Sequence, residues 1–187
     1  MRVIGGSLKG RRLFSPRWNG LRPTSDRLRE TLFDVVGSRI EGLRVLDGCA
    51  GTGALGIEAL SRGADHAVFI ERDARAVALI KRNLEHCELS PQGTVRRATL
   101  PHALRRPVPR PFDRVLLDPP DGASDIGAIL TAAGTVLAAD GLLIIERARE
   151  CALPDVKGLK SRREVTAGNG VIEFYDAVAS VSGPATE

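Results

Sequence analysis

Val45-Leu46-Asp47-Gly48-Cys49-Ala50-Gly51-Thr52-Gly53 joins a short apolar run to a glycine-rich turn through a single carboxylate. A buried parallel strand reads as an unbroken apolar run, and an open α/β sheet binds ligands in the crevice outside its carboxyl edge. Asp47 therefore stands where a strand delivers an acid to such a crevice. About seventy residues later Val115-Leu116-Leu117-Asp118-Pro119-Pro120 repeats the pattern. Both carboxylates are expected to face one cleft.

The same rhythm extends outward from these turns. Strand-like runs at about 43–47, 67–71, 94–98, 113–118 and 141–146 alternate with helical patterns at about 53–62, 73–87 and 125–138. That alternation predicts an α/β fold with a Rossmann-like, doubly wound and mostly parallel sheet. Residues 163–167 and 171–175 flank Gly168-Asn169-Gly170, the turn chemistry of a hairpin, so an antiparallel C-terminal hairpin is expected at the sheet edge. Residues 2–14 read as a small N-terminal β-hairpin about a Gly/Ser turn. Thr24 or Ser25 then caps a helix with Leu28, Leu32, Val35 and Val36 on one face, ending near Gly37. The expected organisation is a hairpin/helix extension over 1–39, a sheet domain over 40–179 and a disordered tail over 180–187.

The 27 basic and 23 acidic residues give a net charge of +4, unevenly spread. Residues 1–39 hold nine Lys and Arg against three acids, and the remainder is slightly acidic. A concentrated basic end is the footprint of a phosphate-backbone partner, with a merely solvated surface as the alternative. No run approaches the roughly eighteen uncharged residues of a membrane span, and no apolar leader opens the chain. A cytoplasmic protein without a membrane partner is expected. Cys49, Cys87 and Cys151 are scattered, with no metal-ligand spacing, so reduced thiols and no metal are expected. The adjacent pair His86-Cys87 reads as surface chemistry without consequence.

Gly51-Thr52-Gly53-Ala54-Leu55-Gly56 is a formal GxGxxG, which also suits dinucleotide enzymes. In those, the strand runs straight into the first glycine so that pyrophosphate rests on the helix N-terminus. Here Asp47 ends the strand and Gly48-Cys49-Ala50 intervene. An anion at that point repels a pyrophosphate and attracts the ammonium of a methionine moiety. Gly51 and Gly53 admit close approach of the backbone to the ligand. Glu71, with Arg72 beside it, ends the next apolar run and is placed to hold both hydroxyls of a ribose; a plain surface acid is the alternative. Thr99 and Leu100 follow the third strand, the natural place for adenine contacts.

Two consecutive prolines after Asp118 remove two donors and fix two φ angles where the chain leaves the sheet. A rigid strand exit with a capping acid is one reading. The sharper one is chemical. A conjugated exocyclic amine is a poor nucleophile because its lone pair is delocalised into the ring. The Asp118 carboxylate and the Pro119 carbonyl, held rigid by Pro120, can accept both its hydrogens and aim the lone pair at an electrophilic methyl.

These turns resemble those of class I S-adenosylmethionine-dependent methyltransferases that modify amino groups. More narrowly, the chain resembles the RsmD family of bacterial small-subunit rRNA guanine-N2 methyltransferases. The likeness covers Arg2-Val-Ile-Gly-Gly and Lys9-Gly-Arg-Arg-Leu, then Arg22-Pro-Thr-Ser-Asp-Arg-Leu-Arg-Glu-Thr-Leu-Phe33. It continues through Leu46-Asp-Gly-Cys-Ala-Gly-Thr-Gly-Ala-Leu-Gly-Ile-Glu-Ala-Leu-Ser-Arg-Gly63. The resemblance implies S-adenosylmethionine as cofactor and the 16S rRNA of the small ribosomal subunit as partner. It places Arg22, Thr24 and Arg27 near the cofactor's carboxylate end or a substrate phosphate, while the basic Lys9, Arg11 and Arg12 are expected on rRNA phosphates. A monomer is expected. One departure stands out. The family usually has an aromatic residue after the second proline to stack on the flipped base, and here the position is Asp121. Stacking contributes about 1–3 kcal/mol per base, and the aromatic candidates left are Trp18, Phe14 and Phe112. Two alternatives remain: a DNA or RNA adenine-N6 methyltransferase, although no target-recognition domain is visible, and a catalytically weakened rRNA-binding or assembly module.

Overall fold

Apolar runs and amphipathic stretches become strands and helices in turn: α1 (Asp26–Val36), β1 (Arg44–Gly48), α2 (Ala54–Ser61), β2 (His66–Glu71), α3 (Ala74–His86), β3 (Gly93–Arg97), β4 (Phe112–Leu117), α4 (Ile126–Thr135), β5 (Leu137–Ala148), β6 (Leu159–Ala167) and β7 (Gly170–Ala177). The computed structural model describes residues 1–16, 18, 26–37, 40–105, 108–120, 123–168 and 170–178. The expected tail over 180–187 lies outside them.

The strands form one sheet of order β3-β2-β1-β4-β5-β7-β6. The first five are parallel, and β7 pairs antiparallel with both β5 and β6. This is the expected Rossmann-like sheet with its C-terminal hairpin. The strand order reverses between β1 and β4, and such a switch point opens a crevice at the carboxyl ends of the two strands. Asp47 and Asp118 stand there, one near the end of β1 and one just past β4.

Two apolar layers cover the sheet. On one face Leu32, Phe33, Ile57, Leu60 and Ile80 pack against Val45, Phe69, Leu116 and Ile144. On the other, Leu104, Ile129, Leu130 and Ala133 pack against Leu46, Val68, Val115 and Ile145. α1 takes its predicted face, with Leu28, Leu32 and Val36 buried and Val35 partly so. Gly37, at φ 64°, ends it with an N–H donated to the Phe33 carbonyl at 2.8 Å, as helix C-termini prefer.

Two expectations are corrected. The helical pattern over 125–138 stops at Thr135, because Leu137 pairs with Phe112 and the β4–β5 ladder claims the segment across a register shift. Cys87 is buried in the first apolar layer, so the His86-Cys87 pair is not a surface feature. The expected N-terminal hairpin is present in short form: around the antiparallel Arg2–Arg12 bridge, Val3 donates to the Arg11 carbonyl and Gly10 to the Val3 carbonyl, both at 2.9 Å, and Leu13 donates to the Met1 carbonyl at 3.1 Å.

The N-terminal arm is also bonded to the side chains of α2. Ile4 donates to Glu58 Oε2 at 2.8 Å, Leu8 donates to Ser61 Oγ at 3.0 Å, and Ser61 Oγ donates to the Gly5 carbonyl at 2.6 Å. Glu58 is fully buried and also accepts from Arg62 Nε at 2.8 Å. Arg29, equally buried, pairs with Asp26 at 2.6 Å and donates to the Arg2 carbonyl at 2.8 Å. Its Nη1 stands 3.8 Å from Glu58 Oε2. Removing one partner of a buried charge pair leaves the other uncompensated, which costs about 3–5 kcal/mol. Glu58→Ala is therefore expected to destabilise the protein by about that much, measured as a lower urea midpoint with an unchanged m-value.

Candidate active site

Asp47 is buried, and its Oδ2 accepts the Gly56 N–H at 2.8 Å. That contact satisfies one of the donors left open in the first turn of α2. Burial pushes the Asp47 carboxyl well above the usual carboxylate range; the charges of Asp118 and Glu71 add to the rise, and the Gly56 hydrogen bond opposes it. Cys49 sits beside it at φ 60°, in a left-handed conformation uncommon for a side chain of its kind. Its thiol is pushed up to about 12 by burial, then by Glu71, Asp47 and Asp118. Two groups of the turn thus feel the same distant carboxylates, so the ends of β2, β1 and β4 converge on one crevice.

Glu71 is buried rather than a surface acid, and it braces the turn. Its Oε2 accepts the Gly51 N–H and its Oε1 the Asp73 N–H, both at 2.9 Å. A carboxylate has about four acceptor sites, so these bonds leave capacity for two ligand hydroxyls. Gly53, the N-cap of α2, adopts φ 78°, which favours glycine. At Gly48 a Cβ would lie 2.6 Å from Leu117 and 3.0 Å from Leu100. Leu100, far along the chain, therefore closes against the end of β1. Thr99 is exposed next to it and Arg72 next to Glu71. Asp118 extends the β1–β4 ladder, its N–H directed at the Gly48 carbonyl at 3.5 Å. Pro119 is half-buried and Pro120 exposed.

One acid was missed in sequence. Glu71, Asp47, Asp118 and Glu146 each follow by two residues a side chain of the first apolar layer, namely Phe69, Val45, Leu116 and Ile144. Strand alternation then points all four toward the face that carries α1, α2 and α3. The signal was present, since Leu142-Leu143-Ile144-Ile145-Glu146 is another apolar run ending in an acid. Asn83, also missed, lies on the buried stripe of α3 with Ala76, Leu79 and Ile80. An amide on such a stripe signals a buried anchor.

The basic residues separate into groups. Lys9, Arg12 and Arg27 are exposed, and Arg12 lines with Arg2 and Asp26 an open depression of about 520 Å3. Arg11 instead donates to the His86 carbonyl at 3.3 Å, at the end of α3. Arg22, Thr24 and Asp121 lie outside the described residues. Of the aromatic candidates, Phe112 is buried at the amino end of β4, opposite Asp118, and cannot stack on a base there. The Arg82 guanidinium covers Phe14 at 3.7 Å. Trp18 rests 5.1 Å from the Arg75 guanidinium, which holds the N-cap Asp73 carboxyl down to about 2. Among the described residues there is no cluster able to hold a metal ion, and no helix is long and apolar enough to cross a membrane.

A mostly parallel sheet with this switch point and an acid-braced glycine turn defines a Rossmann-like methyltransferase. The chain belongs to the family described as Conserved hypothetical protein 95, whose model matches residues 1–176. The Bacillus subtilis protein YlbH is 39% identical over 91% of this chain and 96% of its own. Ribosomal RNA small subunit methyltransferase D of Escherichia coli is 35% identical over 96% of this chain and 91% of its own. The solved structure of Escherichia coli yhhF superposes with a TM-score of 0.86 at 32% identity, covering 96% of this chain and 98% of that one.

A carboxyl whose folded pKa lies above its unfolded value favours the fold below the unfolded pKa, and that contribution is lost as pH rises through the folded value. Asp47 is such a group. Asp47→Asn keeps an acceptor for Gly56 and removes the buried charge. It is expected to raise the neutral-pH Tm by roughly 2–4 °C, on the order of 1 kcal/mol, with the gain vanishing below about pH 4. Thermal melts across pH check this.

Proposed function

We propose that this chain transfers a methyl group from S-adenosylmethionine to the exocyclic N2 amine of a guanine in small-subunit rRNA. The observation that carries the reading is the convergence of Asp47, Glu71 and Asp118 on one crevice at the switch point. The donor set suits the cofactor: two carboxylates answer its ammonium and its ribose hydroxyls, and Gly53, at φ 78°, shapes the turn between them. Glu71 would take the ribose hydroxyls, with Arg72 at its side. Asp47, with Gly48, Gly51 and Gly53 around it, would take the methionine ammonium, and Thr99 and Leu100 the adenine. Bound there, S-adenosylmethionine supplies an electrophilic methyl on a sulfonium.

Asp118 and the Pro119 carbonyl accept the two amine hydrogens and turn the lone pair out of conjugation. Pro120 keeps that carbonyl fixed. After transfer Asp118 receives the proton that N2 releases. Lys9 and Arg12 would bind rRNA phosphates, and Arg22, Thr24 and Arg27 the cofactor's carboxylate end or a substrate phosphate, with Asp121 a further substrate contact. Arg11 contributes by anchoring the arm to α3. A monomer working in the cytoplasm suffices for this chemistry.

The decisive assay is methylation of small subunits from a strain lacking its own enzyme, with the modified base mapped by mass spectrometry. N2-methylguanosine is expected; an N6-methyladenosine product, or none, overturns the reading. Asp118→Ala is expected to slow single-turnover transfer by about 10²-fold or more while the affinity for S-adenosylhomocysteine stays nearly unchanged. Replacing Lys9 and Arg12 together with Ala is expected to shallow the salt dependence of subunit binding by up to about two units, roughly one per lost phosphate contact.

A further inference from the structure

Asn83 is wholly buried and joins two segments far apart in sequence. Its Oδ1 accepts the Phe14 N–H at 2.8 Å. Its Nδ2 donates to the Phe14 carbonyl at 3.2 Å and to the Thr52 carbonyl at 3.1 Å. A carboxamide nitrogen has two hydrogens, so both are committed. Phe14 closes the N-terminal arm, and Thr52 lies between the two glycines of the cofactor turn. Thr52 is touched a second time, its hydroxyl donating to Met1 Sδ at 3.7 Å. Just beyond the turn, α2 takes the arm at Ile4, Ser7 and Leu8 through Glu58 and Ser61. The arm is thus bonded to the cofactor turn itself and to the helix that the turn starts.

We propose that Asn83 is a positioning residue that couples the arm to the cofactor turn, so that S-adenosylmethionine and rRNA bind cooperatively. The inference rests on the reading of the site given above. A ligand that orders the turn fixes the Thr52 carbonyl, and through Asn83 it fixes the Phe14 peptide. The second ligand then meets an arm whose ordering cost is already met. The coupling acts equally in both directions, since it is a free energy between two binding equilibria.

The test uses the full chain, S-adenosylhomocysteine and unmethylated small subunits. In the wild type, S-adenosylhomocysteine is expected to slow amide exchange over residues 1–16, the Phe14 amide included, and to tighten subunit binding at least about fivefold. Asn83→Leu, close in size but unable to bond, is expected to bring that factor near one while each ligand still binds alone. Phe174→Leu, a core change in β7, serves as a control of lowered stability and is expected to keep the coupling. Wild-type protein that binds S-adenosylhomocysteine with no change in arm exchange or subunit affinity overturns the proposal, and so does coupling that survives Asn83→Leu. If the wild type does not bind S-adenosylhomocysteine at all, the site reading itself fails, a distinguishable outcome.

Discussion

Like charges gathered at one sheet edge are the constraint that organises this molecule. Neighbouring strands run about 4.8 Å apart, and β2, β1, β4 and β5 each deliver an acid to the same edge, on the same face. Such a row is repulsive unless something answers it. Backbone amides do so here: Gly56 for Asp47, Gly51 and Asp73 for Glu71. The N-terminus of α2 adds the positive end of its dipole. The turn between β1 and α2 therefore has its shape because the acids recruit its N–H groups. Burial, more than the neighbouring charges, raises the Asp47 pKa. Carboxylates that converge on one crevice suit a cationic ligand, and a sulfonium with an ammonium is one.

The arm is attached by the opposite strategy. Val3 and Leu13 reach the apolar layer, yet most of its fixed contacts are polar and directional. An apolar contact tolerates sliding, whereas a hydrogen bond to a buried carboxylate or amide sets a register and is costly to leave unmade. Burying Arg29 against Asp26 and Glu58 adds little net stability over an apolar pair. It does tie α1, α2 and the arm to one arrangement. A surface proposed to grip rRNA is thereby held in fixed relation to the turn proposed to hold the methyl donor.

Elements whose partners are local, or whose pattern is strong, were legible in the sequence. The parallel strands announce themselves as apolar runs, and the two acid turns are visible because the acid ends the run. What stayed hidden depended on distant partners. Nothing near residues 2–14 says that Ile4 and Leu8 give their amides to Glu58 and Ser61 while Val3 and Leu13 bond across the hairpin. The end of α4 was misplaced because Val136 to Ala139 suit a helix, while pairing with β4 decided otherwise. Glu146 repeats the pattern of Asp47 and Asp118, but without a glycine turn or prolines after it there was no local cue to a role. Asn83 was readable only as an oddity on an apolar stripe, and its three partners come from two other segments.

The scarcity of aromatic residues bears on how a base would be held. With Phe112 buried at the far end of β4 and Phe14 covered by Arg82, only Trp18 among the aromatic candidates lies near the carboxyl edge. It sits beyond Glu71 on the cofactor side of the crevice, engaged with Arg75. A stacking platform for the target base is thus missing from the described residues next to Asp118. Stacking is indifferent to base identity because every base has a π-face. Hydrogen bonds to the base edge are not indifferent: an acceptor that finds no donor on the wrong base is left unpaired. On the proposed reading, this chain has moved part of its grip on the substrate from the ring face to the ring edge. Asp118, with the Pro119 carbonyl, is the group proposed to take that edge.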